Sequence, residues 1–312
     1  MKNYLKYNKK KRVDMGVKID LHIHSNKSDG ELSPFEIVDM AKNNGVKVMS
    51  ITDHDTLGAY SPELFEYSEK QGVKLITGIE ISTKHEKGGF HVLGYNIDIE
   101  NEELLEELKQ MRNNRKDYLV EVAEKLKEFG FLTNVSELQK VESVTKANVA
   151  SDILNNPLNE MALKEYFGYI PTRSEFITTL LLKGCPAYIR KPSVSPKRAV
   201  DLIRKAGGKA VFAHPVAYFY DKGTPEEDTK LVIEEVCPDG IETNYIHYDK
   251  KGVKRNESDK WSLVAEKIGA FKTIGSDFHK NDGSRSMIGF VGDDIVFSED
   301  QIEDLLNDIY KK

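Results

Sequence analysis

Two histidines near the start of the chain have the spacing of a metal-binding pair. His22 and His24 lie one residue apart, directly after residues 19–21, which can end a buried strand. Alternate residues of a strand project from the same face, so both imidazoles point to one side. Asp29 follows in a polar, turn-forming segment. Two imidazoles and a carboxylate at a strand end suit a transition metal, although a single His-x-His also arises by chance.

Further imidazoles and carboxylates occur where other apolar runs begin or end. These residues are His54, Glu80, His91, His214, Asp277 and His279. So many buried imidazoles would each need a hydrogen-bond partner, and protonated neighbours would repel one another. Bound metal ions resolve both problems, so the whole set predicts metal binding. The remaining histidines, His85 and His247, have no motif partners, and we expect them at the surface.

Length and composition limit the possible classes of protein. The chain has 312 residues with 39% hydrophobic content, enough for one large domain with an insertion or for two domains. Its net charge of -6 argues against binding of long nucleic acid through a broad basic surface. Small phosphorylated substrates need only a local positive site. Two cysteines, Cys185 and Cys237, are too few for a disulfide framework, so we expect a cytoplasmic protein.

The first residues of the chain are basic and polar. Residues 1–16 are lysine-rich and lack the apolar stretch of a signal peptide, so we expect a disordered tail. Met15 is an alternative start, because the first strand follows it closely. No apolar run is long enough to span a membrane.

Strands and helices alternate on both sides of a central segment. Strands are predicted at 46–51, 73–81, 90–95, 209–213, 240–243 and 271–274, and helices at 32–45, 62–71, 195–207, 261–268 and from Ser298 onward. This alternation favours a parallel α/β barrel or sheet. Chemistry in a barrel gathers at the carboxyl ends of the strands, where most of the imidazoles and carboxylates fall.

The central segment has a different pattern. Residues 101–130 have the apolar periodicity of one long, charged helix, and 144–154 and 160–184 are helical or irregular. We interpret 101–184 as a mostly helical insertion, or cap, in a barrel domain made of 17–100 and 185–312.

Six short motifs contain the candidate ligands. In chain order they are DLHIHSNKSDG, SITDHDT, GIEIS, FHVLGY, AHP and GSDFH. In these motifs the chain resembles the PHP (polymerase and histidinol phosphatase) family of metal-dependent phosphoesterases. The branch that it most resembles contains nucleoside 3′,5′-bisphosphate phosphatases and the 5′-to-3′ oligoribonuclease ribonuclease AM. The resemblance implies an α/β fold, a distorted (β/α)7 TIM-like barrel, with a helical insertion.

The family pattern also implies a trinuclear metal site. One ion would be held by His22, His24, Glu80 and Asp277. A second would share Glu80 and take His91 and His214. A third would take Asp29, His54 and His279. These ligands suit manganese, iron or zinc, so two or three divalent ions are expected. Two ions would lower the pKa of a bridging water, whose hydroxide would attack phosphorus.

The insertion carries the residues that the resemblance links to the substrate. Arg115 stands in an Arg-x-x-Arg pattern and would contact a substrate phosphate, whereas Arg112 is more consistent with a solvated helix face. Lys146 and Asn148 occupy positions where relatives have Arg and His. Lysine keeps the charge but lacks the guanidinium fork, so strict specificity for a 3′- or 5′-phosphate is not implied.

Two acidic residues have alternative interpretations. Asp53 either orients an imidazole or caps a turn, and Glu242 either lines the rim or is an ordinary strand-end carboxylate.

The sequence therefore predicts a phosphoesterase that acts on a small phosphorylated substrate. The predicted substrate is a nucleoside 3′,5′-bisphosphate or a short 5′-phosphorylated oligonucleotide. One alternative is a histidinol phosphate phosphatase, against which the insertion and Arg115 argue. The other is a metal-bound structural or regulatory module without catalysis, against which the complete ligand set argues.

Overall fold

The computed structural model describes residues 18–189, 192–249, 252–281, 286–291 and 297–311. Its strands are β1 (Lys18–Ile23), β2 (Val46–Ile51), β3 (Lys74–His85), β4 (Gly88–Tyr95), β5 (Lys209–Phe212), β6 (Gly240–Asn244), β7 (Ile246–Tyr248), β8 (Lys254–Asn256) and β9 (Phe271–Ile274). The predicted basic tail, residues 1–16, lies outside the described residues.

Helices follow or separate most of these strands. They are α1 (Pro34–Asn43), α2 (Pro62–Lys70), α3 (Glu102–Lys127), α4 (Val135–Leu138), α5 (Lys146–Asn155), α6 (Glu160–Phe167), α7 (Arg173–Phe176), α8 (Pro196–Lys205), α9 (Pro215–Lys222), α10 (Glu226–Val236), α11 (Ser258–Ile268) and α12 (Glu299–Tyr310). A 3₁₀ turn at Pro157–Asn159 and a π-helical turn at Ile177–Leu181 lie among them. No helix in the described ranges is both long and apolar enough to cross a membrane.

Seven strands form one sheet in the order β1-β2-β3-β4-β5-β6-β9. The sheet closes where its two edge strands end. A parallel bridge joins Ile23 to Phe278, and the N–H of His24 donates to the carbonyl of Phe278 at 2.9 Å. The result is a distorted seven-stranded α/β barrel, which confirms the predicted fold class. Closure at this end brings the last residues of β1 beside the segment that follows β9.

The alternation of strands and helices had suggested a wholly parallel sheet, but the sheet is mixed. β4 runs antiparallel to both β3 and β5. Only Glu86 and Lys87 separate β3 from β4, which leaves no room for the helical crossover that a parallel neighbour needs. The start of β4 therefore lies at the rim where the parallel strands end, and His91 pairs with Ser82 there.

Residues 101–184 contain helices and no strand, and every residue in this range is described. Tyr118, Leu126, Phe131 and Phe176 belong to a buried cluster made by the second half of α3 and the segment after it. The first half of α3 instead contributes residues such as Leu104 to a cluster with barrel elements. We propose that 101–184 is the insertion, 17–100 and 185–312 the barrel domain, and that α3 serves both.

Some elements were missed from the sequence. Helices α9 and α10 occupy 215–236, and β7 and β8 form a separate antiparallel pair. The predicted start of the last helix is confirmed, because Ser298 and Gln301 form a capping box.

Candidate metal centre

All nine ligand candidates converge at the rim where the barrel closes. Their ligand atoms form four groups within which the atoms lie no more than 4.8 Å apart. The groups are His24–Asp29–His54–His279, His22–His24–Asp277, His22–Glu80–His214 and His54–Glu80–His91. Because several residues belong to two groups, the four groups make one continuous cluster.

Glu80 lies in the middle of the cluster. Its Oε1 is 2.9 Å from Nδ1 of His91 and 2.9 Å from Nε2 of His214. Its Oε2 is 3.0 Å from Nδ1 of His54 and 3.3 Å from Nε2 of His24. One carboxylate thus faces four imidazoles, each from a different strand or strand end, and is placed where it could be shared between ions.

Asp277 and Asp29 supply the other two carboxylates. Asp277 Oδ1 lies 3.2 Å from Nε2 of His24 and 3.5 Å from Nδ1 of His279. Asp29 Oδ1 lies 3.3 Å from Nε2 of His279, and Asp29 Oδ2 lies 3.9 Å from Nε2 of His54. The two acids therefore face each other across His24 and His279.

Three turns at the cluster have a left-handed backbone at residues other than glycine. The φ angles are 53° at Asp55, 26° at His214 and 51° at Asp277. Such φ values are uncommon outside glycine, asparagine, aspartate and histidine. Two of these residues are ligand candidates and the third follows His54, so the unusual backbone lies where side chains are aimed into the cluster.

Several ligand-type atoms are buried without a hydrogen-bond partner in the described ranges. They are Nδ1 of His24, His54, His91 and His214, and Oε2 of Glu80. Buried polar atoms are nearly always satisfied in folded proteins, and the close approaches among these atoms lack hydrogen-bond geometry. Coordination of cations would satisfy them, so the residues fit a metal centre.

Burial and neighbouring charges also prepare the imidazoles for ligation. Burial lowers the pKa of His91 to about 3, although Glu80 opposes this effect. Burial likewise lowers the pKa of His54, His214 and His279, against the pull of nearby carboxylates. These imidazoles are neutral at pH 7, and neutral imidazole is the form that binds metals.

The pKa of His22 is shifted in the opposite direction. Burial alone would lower its pKa, but the carboxylates of Glu242 and Glu80 outweigh burial and raise the pKa to about 10.

Comparison with known proteins fits this geometry. Residues 20–191 match the model of the PHP domain. The chain belongs to the PHP family. Members are metal-dependent phosphoesterases, and this chain is accordingly a hydrolase that acts on phosphoester bonds.

Two relatives and one solved structure illustrate the relationship. A 5′-3′ exoribonuclease of Haemophilus influenzae is 29% identical over 268 residues, covering 85% of this chain and 91% of its own. A 3′,5′-nucleoside bisphosphate phosphatase of Chromobacterium violaceum is 27% identical over 266 residues, covering 84% and 87%. A Bifidobacterium adolescentis protein classed as a metal-dependent phosphoesterase superposes with a TM-score of 0.74 at 22% identity, covering 94% and 96%. At that identity the superposition supports the fold alone.

Beside the centre, Glu242 contacts the ring of the ligand candidate His22 at Nδ1, on the side away from the cluster. Its two oxygens lie 3.0 and 3.1 Å from Nδ1 of His22, and Oε2 also accepts the backbone N–H of His214 at 2.8 Å. The sequence had left Glu242 open between two roles, because it stands at a strand end outside the motifs. Tyr245, which the sequence analysis missed, donates its hydroxyl to Asp277 Oδ2 at 3.1 Å.

Asp53 organises a loop instead of an imidazole. Its carboxylate accepts the N–H of Ser25 at 2.8 Å and the hydroxyl of Ser28 at 2.6 Å. This corresponds to the turn-capping alternative. Asp20, also missed from the sequence, accepts the N–H of Gly289 at 2.8 Å, and its burial raises its pKa to about 6.

Arg115, for which the sequence predicts a phosphate contact, is bound within the protein. It is only 3% exposed. Nε donates to Asp55 Oδ2 at 2.8 Å, and NH2 also donates to that oxygen. NH1 donates to the carbonyl of Val144 at 2.9 Å and NH2 to Ser82 Oγ at 2.9 Å. Each of its three nitrogens thus donates a hydrogen bond within the protein, and a contact between Arg115 and a substrate phosphate stays a prediction.

Arg112, three residues before Arg115, was expected on a solvated helix face. Its NH1 instead donates to the carbonyl of Asp55 at 3.1 Å. His247, expected at the surface, is buried between Tyr220 and Tyr245. His247 lies in β7, an element that the sequence analysis missed.

Lys146, the second predicted substrate residue, lies at the start of α5. Its Nζ is 5.6 Å from the centre of the Tyr188 ring. The preceding residue, Thr145, has its hydroxyl 3.1 Å from Asp29 Oδ2. Lys146 is thus next in the chain to a residue that contacts a ligand candidate.

Proposed function

We propose that this PHP phosphoesterase hydrolyses phosphate esters of nucleotides at a centre of three divalent ions of manganese, iron or zinc. Its substrates would be nucleoside 3′,5′-bisphosphates or short 5′-phosphorylated oligonucleotides. The names of the two relatives, an exoribonuclease and a nucleoside bisphosphate phosphatase, support this class. We also propose a cytoplasmic location, which the two unpaired cysteines support.

The three ions would be held by the three ligand sets that the family resemblance implies. When bound, such ions activate a water for attack on phosphorus and neutralise the charge on the phosphoryl oxygens. The chain's own residues prepare the ligands. Glu242 holds a proton on Nδ1 of His22, so Nε2 would be the atom that gives up its proton and binds the ion. Tyr245 occupies Asp277 Oδ2, so that Oδ1 faces the histidines.

One side of the cluster is more open than the rest. The side chain of His91 is 24% exposed and that of His54 is 11% exposed, whereas those of His22 and His24 are fully buried. A substrate would therefore approach past His91 and His54.

The proposal of a nucleotide substrate rests on three lysines near this open side. Lys84 lies on β3 with Glu80 and Ser82 at alternate positions, so these side chains share one face of the strand. Lys222 Nζ donates to the carbonyl of Gly89 at 2.9 Å, two residues before His91. Lys146 is the third member. We call Lys84, Lys146 and Lys222 the lysine group.

The lysine group is positively charged, and the carboxylates of Asp221 and Glu80 offset part of the charge of Lys222. In the ranges that the structure describes, the three ammonium groups contact Tyr188, Tyr218 and the carbonyl of Gly89, and none forms an ion pair with a carboxylate. Burial lowers the pKa of Lys146 to about 8, and the charges of Lys222 and Lys84 contribute to this shift. The Nζ of Lys84 also donates to the hydroxyl of Tyr188 at 3.3 Å. Like charges gathered beside a metal centre are relieved by an anion, so a second phosphate is the expected occupant.

A substrate panel tests the proposal. The manganese-loaded enzyme would be assayed on a nucleoside 3′,5′-bisphosphate, a 5′-phosphorylated oligonucleotide, a nucleoside monophosphate, histidinol phosphate and an aryl phosphate. We expect kcat/KM to be highest for the substrates that carry more than one phosphate. A higher value for histidinol phosphate or the aryl phosphate would contradict the proposed substrate class.

A further inference from the structure

The helical insertion contacts two loops that carry ligand candidates. One loop is residues 25–30, which includes Asp29. The N–H of Ser143 donates to the carbonyl of Lys27 at 3.2 Å, and Nδ2 of Asn148 donates to the carbonyl of Ser28 at 3.1 Å. Thr145, between them, brings its hydroxyl to 3.1 Å from Asp29 Oδ2. Three residues of the insertion therefore support the loop at the position of its metal-binding carboxylate.

The other loop is residues 53–56, which includes His54. Arg115 binds one oxygen of Asp55, and the N–H of Ser82 donates to the other at 2.7 Å. The N–H of Asp55 donates to the carbonyl of Glu80 at 3.0 Å. Asp55 is thus fixed through its side chain and its backbone, in the left-handed conformation that ends the His54 turn.

A third contact from the insertion extends this support. The hydroxyl of Thr56 donates to Glu142 Oε1 at 2.7 Å. Glu142 directly precedes Ser143, which supports the first loop. A single short segment, residues 142–148, therefore touches both loops, and Arg115 binds that segment as well through the carbonyl of Val144.

We propose that the insertion forms part of the structural support of the metal centre, with Arg115 and Thr145 as positioning residues. They hold His54 and Asp29 where the ion bound by Asp29, His54 and His279 requires them. The inference rests on the three-ion assignment proposed above. It gives Arg115 a role in metal binding.

The expected size of the effect follows from other metal proteins. Loss of a residue that orients a ligand typically lowers metal affinity by about 10–100-fold. The loss should affect the ion at Asp29 and His54, because the contacts of Arg115 and Thr145 lead to those two residues. The ions at the remaining ligands should keep their affinity.

The test needs variants that fold. Arg115→Met alone removes the positive charge that faces the buried Asp55 carboxylate, which is strongly destabilising. The double variant Asp55→Asn with Arg115→Met removes both charges and retains an oxygen for the N–H of Ser82. Thr145→Val is an independent second variant, and Thr145→Ser keeps its hydroxyl as the conservative control.

Arg198→Met is the matched control for the arginine. Arg198 lies on α8 and also binds α3, through Glu107 at 2.8 Å and Glu103 at 3.0 Å. It therefore joins the same helix to the barrel without touching a ligand loop. If general loosening of α3 were enough to lower metal affinity, this variant would show the same loss.

Each metal-free full-length protein would be titrated with Mn²⁺, and free Mn²⁺ followed by electron paramagnetic resonance. Thermal unfolding of the metal-free proteins checks that each is folded. We expect one ion to bind about 10–100-fold more weakly in the double variant and in Thr145→Val. Arg198→Met and Thr145→Ser should bind as the wild type does.

Wild-type affinity for every ion in both test variants would overturn the inference, as would an equal loss in Arg198→Met. The number of ions in the wild type is a separate result. A count of two there would contradict the three-ion centre, whereas the inference depends on the difference between variant and wild type. The measurement uses no substrate, so it is also independent of the proposed substrate class.

Discussion

Glu242 holds the ring of His22 from behind, with both carboxylate oxygens within 3.1 Å of Nδ1. The same carboxylate accepts the backbone N–H of His214. One buried acid on β6 thus orients a ligand candidate of β1 and supports the turn of another after β5. This relationship is the second-sphere arrangement usual for metal-binding histidines.

Glu242→Gln should weaken metal binding with little change in shape. To keep the bond from the N–H of His214, the glutamine would place its carbonyl at the position of Oε2 and its amide group at that of Oε1, which lies 3.0 Å from Nδ1 of His22. That amide would donate to Nδ1 and move the ring proton to Nε2, the atom needed for the metal. We expect a loss of about 10–100-fold in metal affinity and in kcat/KM.

Metal titration and steady-state kinetics measure both effects. Glu107→Gln, at a carboxylate that binds Arg198 away from the centre, is the control. Unchanged metal affinity in Glu242→Gln would contradict the orienting role.

Protein purified without chelator should contain two or three transition-metal ions per chain. The reason is the full set of nine ligand candidates, including the buried atoms without hydrogen bonds. Elemental analysis measures the count. A content near zero that added manganese or zinc does not restore would be incompatible with a metal centre here.

Asp277→Ala and His22→Ala should each abolish turnover while the chain remains folded. Both residues belong to the His22–His24–Asp277 group at the rim, and neither is a member of the apolar clusters that hold the barrel together. Circular dichroism and the phosphatase assay would be run on the same samples. Substantial activity in either variant at saturating metal would show that the residue is not an essential ligand.

The lysine group should control selectivity. Lys84→Gln and Lys222→Gln each remove one charge-assisted contact to a second phosphate, which contributes about 1.5–3 kcal/mol. This corresponds to roughly a ten- to hundredfold loss of kcat/KM on a bisphosphate. An aryl monophosphate should lose little. Lys109→Gln, at an exposed lysine paired with Glu106, is the control. Equal losses on both substrates would mean that these lysines do not bind the second phosphate.

Lys146 should make substrate binding depend on pH. Its pKa is lowered from 10.5 to about 8, mainly by burial. The charge is therefore present below pH 8 and is lost as the pH rises through that value. KM for a bisphosphate should rise above pH 8 in the wild type. In Lys146→Arg it should stay flat, because arginine remains charged. A parallel rise in both proteins would assign the dependence to another group.

The sequence predicted the barrel and much of its element order because apolar strands and capped helices leave local patterns. The antiparallel β4 was not predicted, since the direction of a strand depends on the length of its connection as well as on its own residues. Ligand candidates stood out because His22 and His24 lie in short motifs at strand ends. Glu242 and Tyr245 act through contacts between distant strands, which no local spacing reveals.

The contacts of Arg115 could not be predicted from local sequence patterns either. A family pattern indicated a charged group that could reach a phosphate, but the pattern could not show which carboxylate lies nearby. The partner is Asp55, sixty residues away in the chain. Its position depends on how α3 lies across the barrel, which is a property of tertiary packing.

The left-handed residues at the centre imply a conflict between stability and activity. Asp55, His214 and Asp277 hold φ angles that other residues tolerate poorly, and such conformations typically cost about 1–3 kcal/mol each. In an evolving population, selection for stability alone would favour glycine or asparagine at these positions. Each such replacement at 214 or 277 would delete a ligand candidate. Positions 214 and 277 are therefore sites where selection for turnover would oppose selection for a more stable fold.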